Sequence, residues 1–403
     1  MPRFRPKDEQ ELAKVISWAA GECESLEVIA AGTKVGLGRP VEAPHVLDVS
    51  GIAGIEAYEP EELVLTAKPG TPLAEIESLL ERSQQMLAFE PGDWGPLLGE
   101  AAGRQTLGGM LACNLAGPRR IKQGAARDHL LGFHAVSGRG EAFKAGGRVV
   151  KNVTGYDLSK LMAGSYGTLA LLTEVTVKVL PRPEATGTLV LWGLEDERAV
   201  AAMTAALNSP HEVGGAAHLP GASAAHVLPG ASRAATLVRV EGPGPSVEAR
   251  AAALRHELRD FGPAELLPDA VAAAPWRELA EVRPFAGDHG PIIWRISVAP
   301  QSGPAVAAVI ARSLDARVFF DWGGGLLWCA IAGGSADGGA EIVRAATRAE
   351  GGHATLVRAS PELRGRVPVF EPQPPALAAL TRRIKESFDP QRILNPGRMY
   401  WGF

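Results

Sequence analysis

Three glycine-rich segments in the first 170 residues constrain this chain more than any other feature. The first, AAGTKVGLGRP over 30–40, directly follows the apolar run 26–31. The second, TLGGMLACNLAG over 106–117, joins a glycine pair to Asn114 and Gly117. The third lies within KNVTGYDLSKLMAGSYGTLALLTEVTVKV over 151–179 and carries Gly155, then Gly164-Ser165-Tyr166-Gly167-Thr168. Glycines at such spacing let backbone N–H groups point into one concavity, which suits a diphosphate. No GK[ST] follows the first segment and no GxGxxG opens a helix there. It is therefore neither a P-loop nor a Rossmann fingerprint.

With 46% apolar and 21% charged residues the chain reads as a globular protein long enough for two or three domains. No apolar run approaches the roughly 18 residues of a membrane span, and the charged start MPRFRPKDEQ does not read as a signal peptide. Only Cys23, Cys113 and Cys329 occur, far apart, which excludes a disulfide framework, a CxxC zinc site and a four-thiolate iron–sulfur cluster within the chain. The net charge of −4 gives no reason to expect nucleic acid, but it conceals an asymmetry. Residues 1–102 sum to −10, whereas residues 103–160 sum to +7. Four cations of that basic island, Arg119, Arg120, Lys122 and Arg127, follow the second glycine segment. Beyond neutralising a cofactor phosphate, they are expected to meet an acidic partner.

The pattern predicts a helix capped by Asp8, a helix over 72–82 with Thr71 as its cap, and a small-residue helix opened by Thr106. After Pro181-Arg182-Pro183, lysine almost vanishes and tryptophan becomes frequent, which fits a domain boundary. Strands and helices then alternate to about residue 358. The expected fold class is α+β, with an antiparallel sheet covered by helices in the second domain. Segments 1–182, 183–370 and 371–403 are expected to form a cofactor domain, an α+β cap domain, and a C-terminal helix and tail packing back on the first.

The order GTxxGLG, PG, TLGGxxxxNxxG and KNVTGYDLxKLxxGSxGTL before a long strand resembles the two-lobed FAD-binding domain of the vanillyl-alcohol oxidase and p-cresol methylhydroxylase (PCMH-type) flavoproteins. Within that superfamily the chain is most similar to the FAD-binding subunits of glycolate oxidase (glycolate dehydrogenase), GlcE type. LWG at 191–193, IIWRISV at 292–298, DWGGGLLW at 321–328 and the tail FDPQRILNPGRMY extend the likeness through the second half. By that resemblance, Gly32, Thr33, Lys34, Val35, Gly36 and Leu37 would cradle the FAD pyrophosphate, and Pro69 and Gly70 would lie against the flavin. Thr106, Leu107, Gly108, Gly109 and Asn114 would line the isoalloxazine and diphosphate. Gly164, Gly167, Thr168 and Leu169 would contact the adenosine end, and Asn395 would return the tail to the flavin. Members with a tethered flavin carry histidine where this chain has Thr33, so noncovalent FAD is expected.

The implied reaction is oxidation of glycolate, a 2-hydroxy acid, to glyoxylate, with electron transfer through a multi-subunit complex. The implied partners are a catalytic flavoprotein subunit and an iron–sulfur subunit, in the cytoplasm or held at the inner membrane through those partners. Such chemistry needs a base and a carboxylate anchor; AGDHGP offers His289 and strand 291–298 offers Arg295. No metal site is expected: His211, His218 and His226 sit among glycine and proline breaks. Two other readings stay open. One is a self-sufficient FAD-dependent dehydrogenase of a D-lactate-like acid, and the other is a non-catalytic scaffold subunit.

Overall fold

The computed structural model describes residues 2–148 and 156–403. The KNVTG part of the third glycine segment, with Gly155, lies outside them. The chain divides into two compact units: residues 1–115, 124–182 and 368–403 form one, and residues 116–123 with 183–367 form the other.

The first unit begins with the helix Glu9–Glu22. Asp8 accepts from the Glu11 N–H, and Leu12, Ile16 and Ala19 are buried along one face. These apolar positions pack with Leu26, Leu47, Val136, Leu171, Ile393 and Leu394 into one cluster, so residues from the start, middle and end of the chain share a core. Leu26–Ile29 and His45–Asp48 pair in parallel, with Arg3–Phe4 on the other side of His45–Asp48. A second sheet is antiparallel, in the order Ile55–Glu59, Val64–Ala67, Ala170–Lys178, Leu130–Ser137, Ala142–Gly146. The helix Leu73–Arg82 starts from Pro72 without a side-chain cap. Thr71 closes the Pro69-Gly70 turn instead, because its hydroxyl accepts from the Gly54 N–H and lies 2.7 Å from the Lys68 carbonyl.

The second unit is an eight-stranded sheet in the order Ala264–Leu266, Ala185–Trp192, Ala235–Gly242, Gly215–Leu219, Ala316–Asp321, Leu326–Ile331, Ile292–Ser297, His353–Arg358. Every neighbouring pair is antiparallel. Leu189, Leu191, Val238 and Val240 pack against Ala199 and Ala202 of the helix Asp196–Leu207 and Val247 and Leu254 of the helix Gly244–Glu257. The strand Gly215–Leu219 was not expected. It is wholly buried, so it shows no alternation, and Gly-Ala-Ala are poor strand formers. Its His218 is a core residue whose Nδ1 lies 2.8 Å from the Thr236 hydroxyl. The helix expected over 269–280 is two pieces, Asp269–Ala272 and Ala274–Ala280, with Pro275 opening the second.

Candidate functional site

A cavity in the first unit is bounded by all three glycine segments and the C-terminal tail. Gly32, Thr33, Lys34 and Val35 form one wall, and Pro69, Thr106, Gly108 and Gly109 form another. Gly167 and Asn395 close it. Gly36, Leu37, Gly70, Leu107, Asn114, Gly164, Thr168 and Leu169 are not among the lining residues. They hold the turns whose neighbours are.

The local geometry explains the small residues. Gly32 and Gly38 have φ of +79° and +76°, a region L side chains rarely adopt. A Cβ on Gly108 would stand 2.6 Å from the Pro69 Cβ, because the Gly108 N–H donates to the Pro69 carbonyl at 2.7 Å. Thr106 begins the short helix Leu107–Ala112 as its N-cap. Behind the lining, the Gly164 N–H donates to Leu111 O at 3.0 Å and the Asn114 side-chain oxygen accepts from the Arg127 N–H at 3.0 Å. The Thr168 hydroxyl donates to Ser165 O at 2.7 Å.

The tail is part of the wall. Asn395 accepts from the Val28 N–H at 2.8 Å and donates to the Tyr166 carbonyl at 2.8 Å, so one side chain joins the first strand to the third glycine segment. A buried ion pair anchors this arrangement. Lys385 Nζ lies 2.6 Å from Asp389 Oδ2 and donates to the Thr168 and Leu394 carbonyls, while Asp389 accepts from the Ile393 and Leu394 N–H groups.

Two buried cations face the cavity. Lys34 Nζ is 3.4 Å from both the Thr33 hydroxyl and Gln105 Oε1, at the long end for hydrogen bonds, and burial pushes its pKa down. Arg398 donates through Nη2 to the Lys34 carbonyl at 2.8 Å. Its Nε and Nη1 are buried without a hydrogen-bond partner. A guanidinium out of water with two unmet donors is costly unless an anion meets it. Burial pushes the Cys113 thiol up, against the opposing pull of Lys34 and Arg398. Arg398, Tyr166 and Cys113 are lining residues that the sequence reading missed; the NPGR motif was the available signal for Arg398.

His289 and Arg295 both belong to the other unit. His289 stands in an exposed turn where the Gly290 N–H donates to Asp288 Oδ1. Arg295 is half-buried in mid-strand, its Cζ 5.0 Å from the centre of the Trp322 ring, and Arg120 lies 4.7 Å from the same ring. One cation of the basic island is paired within the chain at close range. Arg119 makes a two-pronged pair with Glu241, at 3.0 and 2.7 Å, and the Arg239 and Arg119 charges hold that carboxyl below its usual range against the cost of burial. Lys122 lies 3.8 Å from Glu212 and Arg127 3.8 Å from Asp128. Of the four, Arg119 is taken up by a largely buried carboxylate, whereas Lys122 and Arg127 make only long, exposed pairs.

Comparison with known proteins agrees with this geometry. Residues 3–146 match the FAD binding domain family, and residues 370–399 match the C-terminal domain of FAD linked oxidases. The glycolate oxidase subunit GlcD of Bacillus subtilis is 28% identical over 186 residues, covering 46% of this chain and 38% of that protein. Among solved structures, p-cresol methylhydroxylase with substrate bound gives a TM-score of 0.73 at 16% identity, covering 98% of this chain and 88% of that one. A 4-ethylphenol oxidase from Gulosibacter chungangensis gives 0.73 at 15%, covering 99% of this chain and 89% of that one. These two show the shared fold. The glycolate oxidase subunit GlcE of Escherichia coli (strain K12) is 37% identical over 392 residues, 97% of each chain. The chain is an FAD-dependent oxidoreductase subunit and belongs to the GlcE family of glycolate oxidase subunits.

Proposed function

We propose that this chain is the FAD-binding subunit of a complex that oxidises glycolate to glyoxylate and passes the electrons through partner subunits. The single observation that carries this reading is the cavity wall of Lys34 and Arg398. Two buried cations match the two negative charges of a pyrophosphate, and the two unmet Arg398 donors are the groups such an anion would satisfy. The glycine turns would supply backbone N–H groups around it, with Thr106, Gly108, Gly109 and Pro69 along the isoalloxazine. FAD, when bound, supplies a carrier for the electrons removed from the hydroxy acid. Lys34 and Arg398 would hold the dinucleotide, and Asn395 would keep the tail closed over it. Thr33 has no atom able to form a histidyl-type link, so the flavin is proposed to be noncovalent. A catalytic flavoprotein subunit and an iron–sulfur subunit are the proposed partners.

Arg295 favours a second reading, a self-sufficient 2-hydroxy acid dehydrogenase, because its half-buried cation on the Trp322 face suits a carboxylate; His289 would then be the base. Anaerobic addition of glycolate to the purified chain separates the two. The first reading predicts that the flavin absorbance near its visible maximum stays unchanged until the partner subunits are added, and then bleaches. Bleaching of the chain alone, lost in Arg295→Gln, supports the second reading. A flavin that stays oxidised with partners present contradicts both.

A further inference from the structure

We propose that FAD binding draws one proton onto Lys34, so that the chain holds its cofactor tightly at low pH and loosens it as pH rises. The proposal deepens the FAD reading above and rests on it.

Lys34 lines the cavity, and the side-chain atoms nearest its charge are neutral. Its stem runs along the second glycine segment, where a Cβ on Gly109 would stand 3.8 Å from Lys34 Cδ. Nζ meets the Thr33 hydroxyl and Gln105 Oε1, both uncharged and both at 3.4 Å. Asp93 is engaged by its own loop: Oδ1 accepts from the Gly95 N–H at 3.0 Å and Oδ2 from the Gly103 N–H at 2.6 Å. Cys113 follows the helix Leu107–Ala112, and burial pushes its thiol up, which favours the neutral form. The remaining titratable groups of the cavity wall are Tyr166, from the third glycine segment, and Arg398, from the tail. Burial outweighs the pull of Cys113 and Asp93, and moves the Lys34 pKa down from its ordinary value. A guanidinium stays charged in a protein, whereas a buried lysine shifts readily. Of the two cations on this wall, Lys34 is therefore the one that can shed its proton.

A pyrophosphate reverses this balance. It carries two negative charges into the cavity that Lys34 lines, and an opposite charge nearby favours the protonated amine. The Lys34 pKa therefore rises when FAD binds. The amine takes up one proton from solvent, and no covalent bond of FAD changes. Below the pKa of the empty cavity, Lys34 is protonated with or without FAD, and affinity is independent of pH. Between the empty and filled values, each FAD bound takes up a proton, and affinity falls by about tenfold per pH unit. Above the filled value, affinity levels off at its lower limit.

The test uses the deflavinated full chain and FAD from about pH 6 to about pH 9, below the ordinary lysine value. Fluorescence titration gives the affinity, and calorimetry in two buffers of different ionisation heat gives the number of protons taken up. The unsubstituted chain is expected to take up close to one proton per FAD at the upper end and to lose at least tenfold in affinity across the range. The rise in melting midpoint that FAD confers should shrink in step. Lys34→Arg carries its charge at every pH, and is expected to bind FAD with no proton uptake and a flat pH profile. Lys34→Met should be equally flat but at least tenfold weaker than the unsubstituted chain at the lower end. Cys113→Ser should keep the proton count of the unsubstituted chain. An unsubstituted chain that binds FAD with no proton uptake and a flat profile overturns the proposal, whether or not the variants fold. So does a pH dependence that survives in both Lys34 variants, or one that disappears in Cys113→Ser. A chain that takes up no FAD at any pH overturns the FAD reading beneath it.

Discussion

Replacing Arg398 by alanine is expected to weaken FAD binding by about 10- to 100-fold. A hydrogen bond to a charged group contributes about 1.5–3 kcal/mol, and each 1.4 kcal/mol is roughly a factor of ten in affinity. The loss should fall mainly on the bound state. In the free protein Nε and Nη1 of Arg398 have no partner, so their removal relieves a buried charge while sacrificing the Nη2 bond to the Lys34 carbonyl. The deflavinated variant should therefore keep nearly the thermal midpoint of the deflavinated parent and lose most of the stabilisation FAD adds. Arg398→Lys keeps the charge but not the planar fork, and should fall between the two. Fluorescence titration of deflavinated protein with FAD, paired with melting curves, measures both quantities. An unchanged affinity would remove Arg398 from the site.

Replacing Lys385 by methionine is expected to destabilise the protein by about 3–5 kcal/mol, the usual cost of breaking a buried ion pair from one side. Both partners are fully buried, and Lys385 also serves the Thr168 and Leu394 carbonyls. The substitution strands the Asp389 carboxylate in the core. Because the same segment carries Asn395 and Arg398, flavin retention should fall with stability. The double variant Lys385→Met/Asp389→Asn should recover part of the loss, since asparagine carries no charge and can still accept from the Ile393 and Leu394 N–H groups. Urea midpoints of the three proteins test this. A single variant as stable as the parent would show that the pair does not anchor the tail.

Local backbone chemistry was the part legible in the sequence. Gly32, Gly38 and Gly108 announce their turns because the required φ or the close approach admits little else. Their spacing then pointed to a dinucleotide. Pairings distant in the chain were not legible. The charge count around Arg119 could not reveal that Glu241, 122 residues away, takes up its guanidinium. Nor could a count assign residues 116–123 to the second unit, where the Trp322 indole N–H donates to the Gly117 carbonyl at 3.1 Å. Arg398 was hidden for a related reason. In NPGR the asparagine and glycine read as a turn, whereas the arginine's role depends on a loop 364 residues earlier in the chain. Gly215–Leu219 was missed because a strand buried on both faces and made of small residues has no period to detect.

Noncovalent flavin in the cavity of the first unit is the central claim, and an absorption spectrum of the purified chain before and after denaturation tests it most directly. The expected result is a flavin spectrum with one FAD per chain, all of it released into the supernatant when the protein is precipitated by acid. Flavin remaining on the denatured chain would contradict the noncovalent assignment, with Cys113 as the lining nucleophile to examine. A colourless chain that also fails to take up added FAD would contradict the central claim.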